Sequence, residues 1–309
     1  MKAIFVDASP TLADIAERML RLDGVAFEIQ RTPDIVADDL PAALAGATIA
    51  IIDHTYLPTA IAPRCANLEH VIFLGTGARS YMSPEELAEL GIVVHTIKGY
   101  GDTAVAECAI ALMWAAAREV SAMDREIRAG KWIRMDALQL TGRTIGLIGF
   151  GGIAAEVARL ASGTGMRVVA WNRSPKSCEG VTFVSLEALL AQSDVVSLHL
   201  ALNDETRNIL SRERIAAMRR GAILVNTARG ELIDEQALID ALQSGHLRHA
   251  ALDVFAIEPL SPGHPLTRLP NVTLSAHSAF RTHEASENLI AAALAHCRAI
   301  VARTPPVHQ

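Results

Sequence analysis

Several things are scarce in this sequence, and each scarcity removes a class of function. Basic charge is in deficit: 28 Lys and Arg against 34 Asp and Glu leave a net charge of −6, and only 4% of the residues are aromatic. The positive field and the stacking platform of a nucleic-acid binder are therefore both missing, and no nucleic-acid partner is expected. Cysteine is sparse as well. Cys65, Cys108, Cys178 and Cys297 lie far apart with no C-x-x-C pair, which argues against a zinc site or a disulfide framework. That pattern fits reduced packing thiols in a cytoplasmic protein. Long hydrophobic runs are absent. MKAIFVDAS at the N-terminus reaches Asp7 too soon for a secretory signal, and the most apolar stretch, AVAECAIALMWAAA at 104–117, is too short to cross a bilayer and contains Glu107. No membrane association follows, and that stretch reads as a buried helix.

What is present is the pattern of a folded α/β chain. Of 309 residues, 50% are hydrophobic and 20% charged, enough for one large or two ordinary domains. Short runs rich in β-branched residues alternate with segments of helical period, the signature of parallel sheets with crossover helices. Strands are expected near 2–7, 27–30, 48–53, 70–74 and 92–96, with a first helix TLADIAERMLRLDG closed by Gly24. A second series starts at 144 and continues through RVVAWN, VTFVS, DVVSLHL, AILVNTA, HAALDVF and NVTLSA. Five strands and then seven predict two Rossmann-like domains. The first, 1–98 joined by a returning helix in 284–309, is expected to be a flavodoxin-like substrate domain. The second, 99–283, is expected to be a doubly wound dinucleotide-binding sheet preceded by a long helix near 102–119. That helix carries more apolar surface than one domain needs, so it is expected to form a homodimer interface. The tail RTPPVHQ has little to bury.

Gly149, Gly151 and Ala154 spell G-x-G-x-x-A between a strand and a helix. The first glycine makes the tight turn, the second lets a pyrophosphate approach the backbone, and the third position must be small for helix-to-strand packing. Phosphate would rest on the free N–H groups of Gly151, Gly152 and Ile153 at the helix start. About twenty residues on, where an acid would accept the ribose hydroxyls, stand Asn172, Arg173 and Ser174. Asn172 removes the charge that repels a 2′-phosphate, and Arg173 and Ser174 add donors for one, so NADP is expected in preference to NAD, which stays possible.

Three segments, LVNTARGELIDEQAL, AALDVFAIEPL and LSAHSAF, end or follow expected strands of the second series. Arg229 can hold a carboxylate and polarise a carbonyl, Glu258 can pair with an imidazole, and His277 can donate a proton as hydride arrival places negative charge on oxygen. With LGTGA at 74–78, TAVAE at 103–107 and SLHLALNDETRNIL at 197–210, these segments resemble the D-isomer specific 2-hydroxyacid dehydrogenase family along most of the chain.

The resemblance implies hydride transfer between a nicotinamide cofactor and a small 2-oxo or 2-hydroxy acid, glyoxylate or hydroxypyruvate first. Arg229, Glu258 and His277 would be its catalytic trio, and the substrate would meet Arg229, His277 and the backbone of Gly75, Thr76, Gly77 and Ala78. It also implies cofactor contacts for Thr103, His199, Thr227, Ala228 and Asp253. No metal is needed, and the remaining histidines, among them His54, His70, His95, His249 and His283, read as surface or loop residues. Ala201 and Ala276 stand where the family usually has proline, and RSYM at 79–82 departs from its usual pattern, leaving the choice of acid open. Two other readings resemble the same fold: a non-catalytic, cofactor-sensing corepressor and a phosphite-type dehydrogenase.

Overall fold

Among the described residues the β-branched runs form twelve strands in two sheets, every neighbouring pair parallel. The structure is a computed structural model that describes residues 1–20, 26–33 and 35–303. The chain divides into two units, Met1–Gly101 with Thr282–Gln309, and Asp102–Arg281.

In the first unit the strands are β1 (Lys2–Phe5), β2 (Ala26–Ile29), β3 (Ile49–Ile52), β4 (His70–Phe73) and β5 (Val93–Thr96), in the order β2-β1-β3-β4-β5. This is the flavodoxin-like order. Helices cover both faces, which is why β3 can be buried at every position and reads as an unbroken apolar run. On one face lie α1 (Pro10–Met19), started by the Ser9 hydroxyl accepting from the Leu12 N–H, and the C-terminal helix His283–Arg303. Their Leu12, Ile15, Leu289 and Leu294 share a core with Phe5, Ile49 and Ile51. On the other face α2 (Leu40–Ala43) and α3 (Pro84–Glu89) bring Leu40 and Leu87 against Ile4, Ile52 and Val71.

The second unit begins with α4 (Asp102–Ala117) and α5 (Val120–Arg128). There follow β6 (Thr144–Ile148), α6 (Gly152–Gly163), β7 (Arg167–Trp171), β8 (Val181–Phe183), α7 (Leu186–Gln192), β9 (Val195–Leu198) and α8 (Arg212–Ala217). The unit ends with β10 (Ile223–Asn226), α9 (Glu235–Gln243), β11 (His249–Leu252), α10 (Pro265–Arg268) and β12 (Val272–Leu274). The order β12-β11-β10-β9-β6-β7-β8 reverses direction between β6 and β9. Such a switch point opens a crevice at the carboxyl ends of the strands, where ligands bind in open α/β sheets.

The structure corrects four details of the sequence reading. The helix expected to run to 119 stops at Ala117, because Glu119 takes a left-handed φ of 55° before α5 begins. Half of the residues of α4 are buried within its own unit, with Ala106, Ala109, Met113 and Ala116 packed against Ala154, Val157 and Ala158 of α6. The apolar surface left exposed lies just beyond it, on Val120, Ile127, Trp132 and Ile133. His249 is no surface residue: it sits in β11 at 1% exposure and shares a 2.9 Å hydrogen bond with Thr273 Oγ1, and burial lowers its pKa to about 4. His70 and His95 are strand residues too, half-buried with rings 5.4 Å apart. Cys65 and Cys297 are buried as expected of packing thiols, whereas Cys178 is exposed. Gly24 and the tail beyond Arg303 lie outside the described residues.

Candidate active site

The glycine loop follows directly from local sequence. β6 is buried throughout, Gly149 turns the chain with φ 89°, and a Cβ there would come within 2.7 Å of the His199 carbonyl. Only glycine lets β9 and the loop approach so closely. Gly151 caps α6 in extended conformation, and a Cβ on it would meet nothing within 4 Å, so its face is open. Ala154 is wholly buried against the sheet. Around this loop, at the carboxyl ends of β9 and β10, two shielded polar atoms have no hydrogen-bond partner among the described residues: His199 Nε2 and Thr227 Oγ1. Burial lowers the His199 pKa to about 4, so its ring is neutral. An open glycine turn, a helix start with unpaired N–H groups and two orphaned polar atoms fit a bound dinucleotide.

At the end of β7 the expected acid is replaced by an amide that joins two loops. Asn172 Oδ1 accepts from the Phe150 N–H at 3.1 Å, and its Nδ2 donates to the Ser174 carbonyl at 2.9 Å. Arg173 is exposed and paired with Glu205, a partner 32 positions away that no local reading could supply. Thr103 is exposed in the first turn of α4.

The trio comes together at the carboxyl ends of β10, β11 and β12. Arg229 leaves β10 through a turn organised by the buried Asn226, whose Oδ1 accepts from the Ala228 N–H and whose Nδ2 donates to the Arg229 carbonyl. Gly230 follows because a Cβ there would overlap the Phe255 backbone. Glu258 Oε1 accepts from the Phe255 N–H at 2.9 Å, and its Oε2 lies 2.6 Å from His277 Nδ1. Burial pushes the Glu258 pKa up, but hydrogen bonds from His277 and the Phe255 N–H, with the nearby Arg229 charge, outweigh it and leave the carboxyl below its usual range. The acid is therefore ionised, and the His277 proton facing it sits on Nδ1.

His277 itself has a left-handed φ of 48°, a conformation that needs support from its surroundings. Asp253 supplies it. Fully buried, its carboxylate accepts from Ser275 Oγ at 2.6 Å and from the Ser278 and Ala279 N–H groups at 3.0 and 2.9 Å, while its carbonyl takes the His277 N–H at 2.7 Å. Its carboxylate thus grips the loop that carries the histidine. Asn226, Glu205, Ser275 and this use of Asp253 escape a sequence reading. The expected carboxylate loop, Gly75–Ala78, belongs to the first unit and follows β4; there the Gly75 N–H is taken by the Phe73 carbonyl, which leaves the amides of Thr76, Gly77 and Ala78.

The D-isomer specific 2-hydroxyacid dehydrogenase NAD binding domain matches residues 110–279, more than half of the chain. The chain belongs to this family. It is an oxidoreductase of the 2-hydroxyacid dehydrogenase class. A glycerate dehydrogenase of Methylorubrum extorquens is 31% identical over 98% of this dehydrogenase and 97% of its own length. A glyoxylate reductase of Korarchaeum cryptofilum is 42% identical over 67% and 68% of the two chains. Among solved structures, an acyclic imino acid reductase in complex with NADPH and D-Arg superposes with a TM-score of 0.86 at 29% identity, covering 99% of both chains.

Proposed function

We infer that this dehydrogenase reduces a small 2-oxo acid, glyoxylate or hydroxypyruvate, with NADPH preferred over NADH. The observation that carries the reading is the 2.6 Å contact between His277 Nδ1 and an ionised Glu258 that is itself held by the Phe255 N–H. It fixes the ring and leaves Nε2 to give up a proton. When bound, the nicotinamide ring supplies the hydride. Arg229 stays charged, holds the substrate carboxylate and draws electron density from the carbonyl. His277 protonates the oxygen as negative charge develops on it, and Glu258 stabilises the charged imidazole before and after. Asp253 keeps the loop in register by its three accepted hydrogen bonds.

The preference for NADPH rests on Asn172. With both atoms of its amide engaged by backbone, it places no negative charge where a 2′-phosphate would lie, and Arg173 stands next in sequence. The NADPH-bound imino acid reductase supports this choice. A homodimer through Val120, Ile127, Trp132 and Ile133 would cover the exposed apolar surface beside α4. No helix among the described residues is long and apolar enough to cross a membrane.

Initial rates with glyoxylate, hydroxypyruvate, pyruvate and a bulky aryl oxo acid, each with NADPH and NADH, test the reading. The expected result is turnover of the small acids with NADPH favoured, the preference shrinking in Arg173→Ala by about 10-fold, the size of one lost charge-assisted hydrogen bond. Equal rates with both cofactors would remove the phosphate role of Arg173. Failure to reduce any of these acids would place the dehydrogenase's substrate outside this set and overturn the choice of glyoxylate or hydroxypyruvate.

A further inference from the structure

Two helices begin at the same point of the second unit. Asp102 is the first residue of α4 and Gly152 the first of α6, and a Cβ on Gly152 would overlap the Asp102 carboxylate. Both are long helices, of 16 and 12 residues, so each brings the positive end of its dipole to this spot. The Asp102 carboxylate occupies that junction half-buried and without a hydrogen-bond or ion-pair partner among the described residues. The nearest charge from the facing helix is of the same sign: Glu156, one turn into α6 and itself paired with Arg159 at 2.9 Å. An unpaired carboxylate held against the first residue of a glycine-loop helix is an anion placed where that loop offers its N–H groups to another anion.

We propose that Asp102 sets the affinity for the dinucleotide by repulsion: its carboxylate, wedged against Gly152, opposes the pyrophosphate at the α6 N-terminus and keeps cofactor binding weaker than the loop alone would allow. The inference rests on the dinucleotide-binding reading of the glycine loop. It makes Asp102 a positioning and affinity-tuning residue, touching no reacting atom. Its use is kinetic, because a cofactor held less tightly leaves faster, and release of product and spent cofactor limits turnover in many enzymes. It also gives Gly152 a reason beyond the phosphate, since any side chain there would displace the carboxylate and change the charge at the junction.

The test is equilibrium binding by calorimetry on the full chain, with NADP⁺ and with adenosine 2′-monophosphate, which lacks the pyrophosphate. Removing one like charge near a phosphate in a water-exposed crevice is expected to tighten NADP⁺ binding about five- to tenfold in both Asp102→Asn and Asp102→Ala. Binding of the monophosphate should stay as it is. The gain should shrink between low and high salt, because screening already weakens the repulsion in the parent. NADP⁺ binding that is unchanged or weaker in both variants would overturn the proposal, as would equal tightening for the monophosphate, which would mark a general change of shape. A parent chain that binds monophosphate but no dinucleotide would sink the dinucleotide reading and this inference together. A parent that binds NADP⁺ while its variants gain nothing would sink this inference alone.

Discussion

Among the described residues each unit holds one wholly buried aspartate just beyond the end of a strand, and each uses it to grip the loop of a neighbouring strand that carries a histidine. In the first unit Asp7, past β1, accepts from the Asp53, His54 and Thr55 N–H groups at 2.9, 2.9 and 2.8 Å and from Thr55 Oγ1 at 2.8 Å. In the second, Asp253 past β11 accepts from Ser275 Oγ and the Ser278 and Ala279 N–H groups. The difference lies in what becomes of the ring. His54 Nδ1 lies 3.2 Å from Asp53 Oδ2 and 3.9 Å from Asp7 Oδ2, so the ring is drawn back onto the aspartates of its own clamp. His277 is tied through Nδ1 alone to Glu258, which leaves a nitrogen for chemistry. The same clamp therefore builds a structural knot in one unit and a proton donor in the other, and the partner of Nδ1 distinguishes them: the clamp's own aspartates in one, a glutamate from a separate loop in the other.

The largest expected effect comes from removing the ring that is left free. His277→Gln should lower kcat by about 10²- to 10⁴-fold, the size of a lost general acid, while melting temperature stays close to the parent's. Glu258→Gln should lower kcat by less and change its pH profile, since the imidazole would lose its charged partner. Steady-state rates from pH 5 to 9 check both. Parent-like kcat in His277→Gln would erase the distinction between the two rings.

Breaking the clamps themselves comes next. In Asp253→Asn the amide N–H₂ must face a backbone N–H in a fully buried site, that of Ser278 if it replaces Oδ1 or that of Ala279 if it replaces Oδ2, a mismatch worth about 1–3 kcal/mol. Asp7→Asn creates the same mismatch against the loop Asp53–Thr55. Urea unfolding should show similar losses of stability in the two variants. Their kinetics should differ: Asp253→Asn lets His277 move and lowers kcat by about tenfold or more, because small misplacements of a catalytic group are expensive. Asp7→Asn should keep kcat near the parent's in the molecules that remain folded. An equal fall of kcat in both would mean that the first clamp also supports the reacting groups.

How much of this was legible in the sequence depends on the range of the interaction. The glycine loop was, because strand, turn and helix are consecutive and each glycine answers a local steric need: Gly149 lies against the His199 carbonyl, and Ala154 against the sheet. The two parallel sheets were, because a strand covered on both faces must be an apolar run, as β3 and β9 are. Arg229, Glu258 and His277 stood out as residue types in one motif set, and the structure brings them to one edge of the second sheet. The partners that fix them were hidden. Glu205 reaches Arg173 across 32 positions, and Asp7 meets Thr55 across 48, separations at which no periodicity carries information. His249 opened the expected strand HAALDVF yet still looked like a surface or loop residue, because histidine is seldom buried; its strand register, with Ile223 on one side, goes with a ring at 1% exposure. The break at Glu119 was invisible for a similar reason: glutamate favours helix, and its left-handed turn coincides with an ion pair to Arg248 and a 3.5 Å approach to the His249 ring far along the chain.

The smallest expected effect tests the knot in the first unit by pH. The hydrogen bond to Asp53, helped by the nearby Asp7 charge and the Pro33 carbonyl and opposed by burial, raises the His54 pKa from its ordinary 6.5 to about 9. A group whose pKa is raised on folding stabilises the fold fully below its unfolded value, and the contribution is lost as pH rises through the folded value. Stability from His54 should thus be complete below about pH 6.5 and fade toward pH 9. Its side chain is 40% exposed, so solvent screens the pairing and the contribution should stay under about 1 kcal/mol. Urea midpoints at pH 6 and pH 9.5 should fall further for the parent than for His54→Gln, which keeps a polar side chain but has no charge to lose. Parallel slopes in parent and variant would show that His54 ties its loops as a neutral ring, and the contrast with His277 would then rest on which carboxylate faces each ring and not on charge.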